Sequence, residues 1–238
     1  QVKVDKLLRP IFNLFYTQAI ACGVEAGKWL FSSKQFTVIK NGREVVKYAF
    51  NKEKRNFIRS ILQIENKIVI GHVGNFLEQK NHIFLVEIYH EIVKREPNCV
   101  LFMMGDGPLK HEIEERCIDI SDHIVFTGKT DKVAELLNAM DGMLLPSLFE
   151  GFPLVVVEWQ INGLPCLLAD TITKESMLSR LVLFESLQNS ASVWAEKILD
   201  EVKRNNRSIS SDIGQAAVRA AGFDSKESAS LLRRIYID

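Results

Sequence analysis

The fold is decided by three consecutive segments: KIVIGHVG at residues 67–74, NHIFLVEIYHEIVKREP at residues 81–97 and NCVLFMMG at residues 98–105. The first and third segments are short apolar runs, which is typical of strands that are buried on both faces. The segment between them has a helical period of apolar residues and ends at Pro97. A strand, a helix and a second strand in this order predict a βαβ unit of a parallel sheet.

The same alternation continues to residue 185. Four further apolar runs are HIVFTG (123–128), DGMLLP (141–146), LPCLLA (164–169) and RLVLFE (180–185). The segments LKHEIEERCID, DKVAELLNAM and PLVVVEWQING, which have a helical period, lie between successive runs. We therefore predict an α/β fold, namely a Rossmann-like doubly wound parallel sheet with helices on both faces. Such sheets bind ligands at the carboxyl ends of their strands, so functional residues are expected in the loops after the runs.

The composition limits the classes of partner. The chain has 238 residues, 47% of them hydrophobic, and its 30 Lys and Arg balance its 30 Asp and Glu. Without a net charge no overall field attracts nucleic acid, so no nucleic-acid partner is expected and a bound anion needs a local site. The four cysteines form no Cys/His cluster at metal-ligand spacing, so no metal site is expected. No apolar stretch reaches the roughly 18 residues of a membrane span.

Residues 1–50 do not follow the alternation. A helix at about residues 5–16 is predicted there, followed by a short helix and a strand, and the start at Gln1 indicates a fragment of a longer protein. NKEKRNFIRSIL at residues 51–62 is predicted to be a polar linker helix. The end of the chain is helical in pattern, and Gly222 is expected to close one of its helices.

The sharpest local feature is SLFEGFPLVVVE at residues 147–158. Glu150 follows a predicted strand, Gly151 permits a tight turn, and Pro153 suits the first turn of the next helix. The start of that helix directs free N–H groups and a positive dipole end at the sheet edge, which favours a phosphate. Glu158 lies among apolar residues and is suited to accept hydrogen bonds from a ribose diol. From the spacing alone, a simple loop acid at Glu150 and a surface charge at Glu158 remain equally open.

Two weaker features precede it. Lys80 in GNFLEQKN (74–81) stands near a helix start, where it opposes the dipole, and this indicates a nearby anion or else a solvated lysine. GDGP at residues 105–108 is a lone G-x-G that also suits a turn, and the chain has neither a P-loop nor a G-x-G-x-x-G motif. The five histidines occur singly, and His72 is expected to be an ordinary buried strand residue.

Taken together, these segments resemble the retaining glycosyltransferases of family 4, which have the two-domain GT-B fold. The matching residues, in order, are Gly74 with Lys80, Gly105-Asp106-Gly107-Pro108, Val125-Phe126-Thr127-Gly128, and Pro146-Ser147 leading into Glu150-Gly151 and Glu158. Two acids separated by seven residues, as Glu150 and Glu158 are, form the hallmark of that family. The resemblance spans about residues 36–195 and is greatest to members that build bacterial capsular or exopolysaccharide chains.

The resemblance implies a division of the chain and roles for its residues. Residues 51–222 would be the carboxyl-terminal domain that binds the nucleotide-sugar donor, residues 1–50 a remnant of the amino-terminal acceptor domain with its linker, and residues 223–238 a carboxyl-terminal helix. Glu150 and Lys80 would be the catalytic residues. The implied donor-binding residues are Gly74, Asn75, Lys80, Gly105, Gly107, Gly128, Lys129, Ser147, Glu150, Gly151, Phe152, Pro153, Leu154 and Glu158.

Within that set the resemblance implies separate contacts. Glu158 would hold the ribose and Glu150 the donor sugar, while Lys80 and the backbone N–H groups of Gly151 to Leu154 would neutralise the diphosphate. Many relatives carry a second basic residue where this chain has Asn75, so Lys80 would contribute a larger share of the diphosphate stabilisation. Lys129, after Gly128, would lie near the base.

The implied activity is hexosyl transfer with retention from a nucleotide-diphosphate sugar, with UDP as the expected nucleotide, to a glycan or lipid-linked acceptor. It needs no metal cofactor, and the enzyme would be cytoplasmic or peripheral at the inner face of the cell membrane. The chain alone is expected to bind the donor without efficient transfer. Two alternatives remain open: a nucleotide-sugar 2-epimerase, against which the Glu150/Glu158 pair argues, and a non-catalytic nucleotide-binding remnant.

Overall fold

The computed structural model describes residues 17–31 and 35–237, and the predicted helix at residues 5–16 lies outside them. The chain divides into two compact units, one of residues 1–44 with 222–238 and one of residues 45–221. None of the helices in the described ranges combines the length and the apolar character needed to cross a membrane.

The strands of the described ranges are β1 (Ile20–Ala21), β2 (Thr37–Val38), β3 (Ile68–Val73), β4 (Cys99–Met104), β5 (Ile124–Gly128), β6 (Gly142–Leu145), β7 (Cys166–Ala169) and β8 (Val182–Glu185). The α-helices are α1 (Val24–Phe31), α2 (Val45–Tyr48), α3 (Lys52–Ile61), α4 (His82–Arg95), α5 (Lys110–Arg116), α6 (Val133–Leu136), α7 (Leu154–Ile161), α8 (Ala191–Arg204), α9 (Arg207–Ala220) and α10 (Ser225–Ile237). Short 3₁₀ helices cover Glu78–Lys80, Ile118–His123, Leu137–Ala139 and Lys174–Ser176.

The larger unit is built on a six-stranded sheet of order β5-β4-β3-β6-β7-β8, in which all neighbours are parallel. The six strands coincide with the six predicted apolar runs, and the predicted Rossmann-like fold is confirmed. Strand β4 is buried along its whole length, as expected for a strand covered on both faces. The order in which successive strands are added to the sheet reverses between β3 and β6. Such sheets bind ligands at the carboxyl ends of the strands at this point.

Helix α3 belongs to this larger unit and is not a linker, which corrects the prediction for residues 51–62. Arg59 is buried and its Nη1 donates to Ala139 O at 2.7 Å and to Asp141 Oδ2 at 3.0 Å. Arg55 also binds the Asp141 carboxylate. The arginines that make the segment look solvated therefore tie it to the start of β6.

The smaller unit contains the parallel pair β1–β2 and helix α10. The Arg43 N–H donates to Phe223 O at 2.7 Å, and the Ser225 N–H donates to Arg43 O at 3.0 Å. These bonds join the start of the carboxyl-terminal helix to the amino-terminal residues of the same unit. The unit boundaries at residues 44/45 and 221/222 differ from the predicted 50/51 and 222/223.

Candidate active site

The loops that follow β3, β4 and β5 are bonded to one another. The Gly74 N–H donates to Met104 O at 3.0 Å, and the Gly105 N–H donates to Gly128 O at 3.1 Å. A Cβ added at Gly105, where φ is +152°, would lie 2.0 Å from Gly74 O, so only glycine allows this approach. The glycines at the predicted positions thus allow the ends of three strands to approach one another closely at one edge of the sheet.

The loop after β3 is also joined to the loop after β6. Asn81 has a left-handed backbone conformation, with φ of 54°, and its Nδ2 donates to Pro146 O at 3.1 Å. The Leu148 N–H donates to Gln79 O at 2.9 Å. These two bonds span the point between β3 and β6 where the direction of the sheet order reverses, and they hold Lys80 beside the Glu150 loop.

Lys80 and Glu150, the two predicted catalytic residues, form an ion pair. Lys80 Nζ lies 2.6 Å from Glu150 Oε1, and the side chains are only 16% and 9% exposed. Gln79 Nε2 donates to Phe149 O at 2.9 Å and contacts Glu150 Oε2 at 3.3 Å. A freely solvated lysine and a simple loop acid are therefore both excluded.

A cleft of about 330 Å³ opens beside this pair at the carboxyl ends of β3 and β4. Five of the predicted residues line it: Gly74, Asn75, Lys80, Gly105 and Lys129. Thr130, Val133 and Val155 also line it, and the sequence analysis had not singled them out. Two lysines and a glycine-rich backbone at the end of a parallel sheet suit an anionic ligand.

The other predicted residues do not line this cleft. Glu158 is 6% exposed within α7, which agrees with the burial expected from its apolar neighbours. Ser147 is fully buried, and its backbone oxygen accepts from Thr171 Oγ1 at 3.0 Å. Pro153 is the N-cap residue of α7 and not, as expected, in its first turn. The remaining members are Gly107, Gly128, Gly151, Phe152 and Leu154, and their roles stay predictions.

Although the histidines occur singly in the sequence, two of them, His72 and His82, contact each other in the structure and form a group of three rings with Phe76. The ring centroids of His72 and His82 are 4.7 Å apart, and those of His82 and Phe76 are 4.2 Å apart. Burial, and then the charge of Lys80, lowers the pKa of His82 to about 4. Burial also lowers the pKa of His72 well below its usual value. Both rings are therefore neutral at pH 7.

Within residues 17–31 and 35–237, no group of three or more His, Cys, Asp and Glu side chains is placed to hold a metal ion. Cys99, Cys117 and Cys166 are buried free thiols, and burial raises the pKa of each. The charged side chains that line the cleft are Lys80, which is paired with Glu150, and Lys129.

The sequence profile described as Glycosyl transferases group 1 matches residues 67–200, which include β3 to β8 and the whole cleft. The chain is 31% identical over 233 residues to the putative glycosyltransferase EpsF of Bacillus subtilis, covering 92% of this chain and 59% of that protein. It is 30% identical over 142 residues to the UDP-Gal:alpha-D-GlcNAc-diphosphoundecaprenol alpha-1,3-galactosyltransferase of Escherichia coli, covering 57% and 37%. The chain thus spans less than two thirds of the length of these relatives.

Among solved structures, the fold is similar to that of Anabaena Alr3699/HepE in complex with UDP. The TM-score is 0.77 at 19% identity, and the match covers 98% of this chain and 67% of that one. At this identity the likeness shows a shared fold.

Proposed function

Because this chain belongs to the glycosyl transferases group 1 family, of the GT-B fold, we propose that its cleft binds a nucleotide-diphosphate sugar, with UDP as the nucleotide. The whole protein transfers the sugar, with retention of configuration, to a glycan or lipid-linked acceptor. Residues 45–221 form the donor-binding unit in this proposal, and the acceptor site lies outside it.

The observation that carries the proposal is the contact between Lys80 and Glu150 at the edge of the cleft. In the free protein each charge neutralises the other. A diphosphate entering the cleft offers Lys80 a partner of higher charge, with oxygens that accept strong charge-assisted hydrogen bonds. Glu150 is then released to accept hydrogen bonds from the sugar hydroxyls.

The other contacts follow the same chemistry. Glu158 accepts from the ribose hydroxyls, and the backbone N–H groups of Gly151, Phe152 and Leu154 bind phosphate oxygens. Lys129, which also lines the cleft, supplies the second positive charge that the uncharged Asn75 cannot supply. The assignments of Glu158 and of the loop after Gly151 rest on the resemblance of the motif, and that of Lys129 rests on its position in the lining of the cleft.

Charge placement explains how the site would accelerate transfer. As the glycosidic bond lengthens, negative charge grows on the leaving diphosphate and positive charge on the sugar ring. A fixed lysine beside the phosphates stabilises this distribution more than it stabilises the bound donor. The leaving phosphate oxygen accepts the proton of the acceptor hydroxyl on the same face of the sugar, which gives retention.

The names of the relatives support a proposal for the biological role. The name of the Escherichia coli relative describes a UDP-galactose donor and a diphosphoundecaprenol acceptor. We propose that the present protein acts in the synthesis of a bacterial surface polysaccharide or capsule, in the cytoplasm or peripherally at the inner face of the membrane. A UDP-sugar made by cytoplasmic metabolism would then reach the cleft directly.

The proposal is tested by calorimetric titration of this chain with UDP, GDP and ADP. UDP is expected to bind, and Lys80→Gln is expected to weaken it by about tenfold to a hundredfold, the value of a charge-assisted hydrogen bond. Lys94→Gln is the matched control, because Lys94 is an exposed lysine of α4 that pairs with Glu91. If none of the three nucleotides binds, the donor assignment is wrong.

A further inference from the structure

His72 has one of its two ring nitrogens fixed by the sheet. It is fully buried in β3, and its Nδ1 lies 2.9 Å from Leu144 O in the neighbouring strand β6. A carbonyl oxygen only accepts, so Nδ1 carries the proton. In the neutral ring Nε2 is then an acceptor, and within the part of the chain that the structure describes this buried nitrogen has no hydrogen-bond partner.

The other two rings of the group, those of His82 and Phe76, hold the His72 ring in place. His82 contacts the His72 ring edge-on, with 76° between the ring planes, and lies nearly parallel to Phe76, with 15° between them. Phe76 is fully buried, and His82 is 2% exposed. Buried ring nitrogens without partners are uncommon in folded proteins, and they call for an explanation in terms of function.

The unpartnered nitrogen of His72 lies next to Gly74, as does the Lys80 side chain. A Cβ added at Gly74 would be 3.0 Å from His72 Nε2 and also 3.0 Å from Lys80 Cε. The acceptor nitrogen and the last methylene of the lysine therefore flank the same glycine. Because Leu144 fixes the proton on Nδ1, the lone pair of the neutral ring is at Nε2, the ring nitrogen beside Gly74.

We propose that His72 is a positioning residue for Lys80, whose lone pair at Nε2 stabilises the lysine ammonium when the donor draws Glu150 away, and that His82 and Phe76 hold the ring for this purpose. The inference rests on the proposed binding of a nucleotide-diphosphate sugar. It explains why the partly buried ammonium of Lys80 stays in position after Glu150 has left it to bind the sugar. A leucine or phenylalanine at position 72 would fill the space without providing an acceptor.

Two variants of His72 separate its two nitrogens. His72→Asn keeps an N–H donor near the Nδ1 position for Leu144 O and removes the acceptor at Nε2. His72→Gln places an amide oxygen near the Nε2 position. Each variant is titrated with UDP, with uridine, which lacks phosphate, and with inorganic pyrophosphate, and thermal unfolding confirms that it is folded.

The proposal expects a loss specific to phosphate. His72→Asn should weaken UDP and pyrophosphate by about fivefold to tenfold, the size of one hydrogen bond, and leave uridine unchanged, while His72→Gln should retain most of the affinity. In the Lys80→Gln background His72→Asn should have no further effect, because His72 acts through Lys80. Equal losses for uridine and UDP, or an unchanged effect in the Lys80→Gln background, would show a structural role only and overturn the inference.

A measurement on the unmodified chain covers the case in which the variants do not fold. The ¹⁵N spectrum of His72 should show a neutral ring with the proton on Nδ1, and the Nε2 resonance should shift when pyrophosphate is added. A proton on Nε2, or no shift on saturation, contradicts the inference. If UDP does not bind but pyrophosphate shifts the Nε2 resonance, the inference stands and the nucleotide assignment is the part that fails.

Discussion

Lys80 Nζ and Glu150 Oε1 are 2.6 Å apart, although 69 residues separate them in the chain, and both side chains are largely buried. The pair joins the loop after β3 to the loop after β6 across the point where the sheet order reverses. A ligand that binds Lys80 competes with Glu150 for it. The charge of Glu150 should therefore affect a bare nucleotide and a nucleotide sugar in opposite directions.

The first prediction uses this competition. Glu150→Gln frees Lys80 and should strengthen UDP binding by a few fold, about 1 kcal/mol, while it weakens a UDP-sugar that Glu150 would contact. Lys80→Gln should weaken both ligands. Calorimetry with UDP and with UDP-sugars measures the two effects. Parallel changes for both ligands in the Glu150 variant would mean that the carboxylate does not contact the sugar.

The second prediction concerns Glu158, which is 6% exposed in a helix whose other residues, apart from Gln160, are apolar. Glu158→Gln preserves the volume and removes the charged acceptor, and the loss should be about 1.5–3 kcal/mol of UDP binding, or on the order of ten- to a hundredfold. Deoxynucleotides that lack ribose hydroxyls should lose little in this variant. The control is Glu87→Gln on the exposed side of α4. Unchanged UDP affinity in a folded Glu158→Gln protein would remove the ribose assignment.

The strands were predictable because each is a continuous apolar run, and the loops after them because parallel strands share a carboxyl edge. That rule predicts that Gly74, Lys80 and Gly105 lie together, and the structure confirms their proximity. The contact between His72 and His82 was not predictable. A strand residue and a helix residue ten positions apart meet only because the loop between them folds back, and no spacing rule describes that loop.

The packing of helix α3 against the larger unit was not predictable for a related reason. Arg55 and Arg59 make the segment look solvated, whereas four of their acceptors are the backbone oxygens of Asn138, Ala139, Met140 and Glu65. Every residue carries a backbone oxygen, so the sequence contains no sign of which ones an arginine will bind. The carboxylate that completes the cluster, Asp141, is distant in the chain and directly precedes β6.

The third prediction follows from that cluster. Asp141 accepts from Arg55, Arg59 and the Val69 N–H, and the Arg59 and Asp141 side chains are 6% and 18% exposed. Asp141→Asn leaves the buried arginine charge uncompensated and should lower the free energy of unfolding by about 3 kcal/mol. Asp200→Asn removes one carboxylate of an exposed pair with Arg204 and should cost less than about 1 kcal/mol. Urea denaturation of both variants measures the two free energies of unfolding, and equal midpoints would contradict the role of Asp141.

The fourth prediction is a loss of stability at acid pH that originates in His82. Its pKa in the folded protein is lowered from 6.5 to about 4, chiefly by burial, so between these values the unfolded chain binds the proton and the folded chain does not. The stabilising contribution is complete above pH 6.5 and declines as the pH falls toward 4, by about 3 kcal/mol in total. His82→Phe should reduce the dependence of unfolding free energy on pH without abolishing it, because the lowered pKa of His72 contributes in the same direction. His111→Gln, at a residue whose side chain is 83% exposed, should leave it as it was, and an identical slope in all three proteins would contradict the assignment.

The last prediction is that residues 1–238 bind a UDP-sugar but transfer it slowly. In the GT-B plan the two reactants meet in the cleft between two domains, and holding them in reactive geometry contributes about 7–11 kcal/mol when fully realised. The described cleft lies within residues 45–221, at Lys80 and Lys129, and the chain spans 59% of the length of the EpsF relative. Donor bound there stays open to water, so slow release of free sugar is expected in place of transfer. The test is incubation of the chain with radiolabelled UDP-sugars and a lipid-linked acceptor extract, with Lys80→Gln as the control that separates catalysed from spontaneous hydrolysis. Efficient labelling of the lipid by the unmodified chain would place the acceptor site within these 238 residues, and the reading of the chain as a donor-binding part would be wrong.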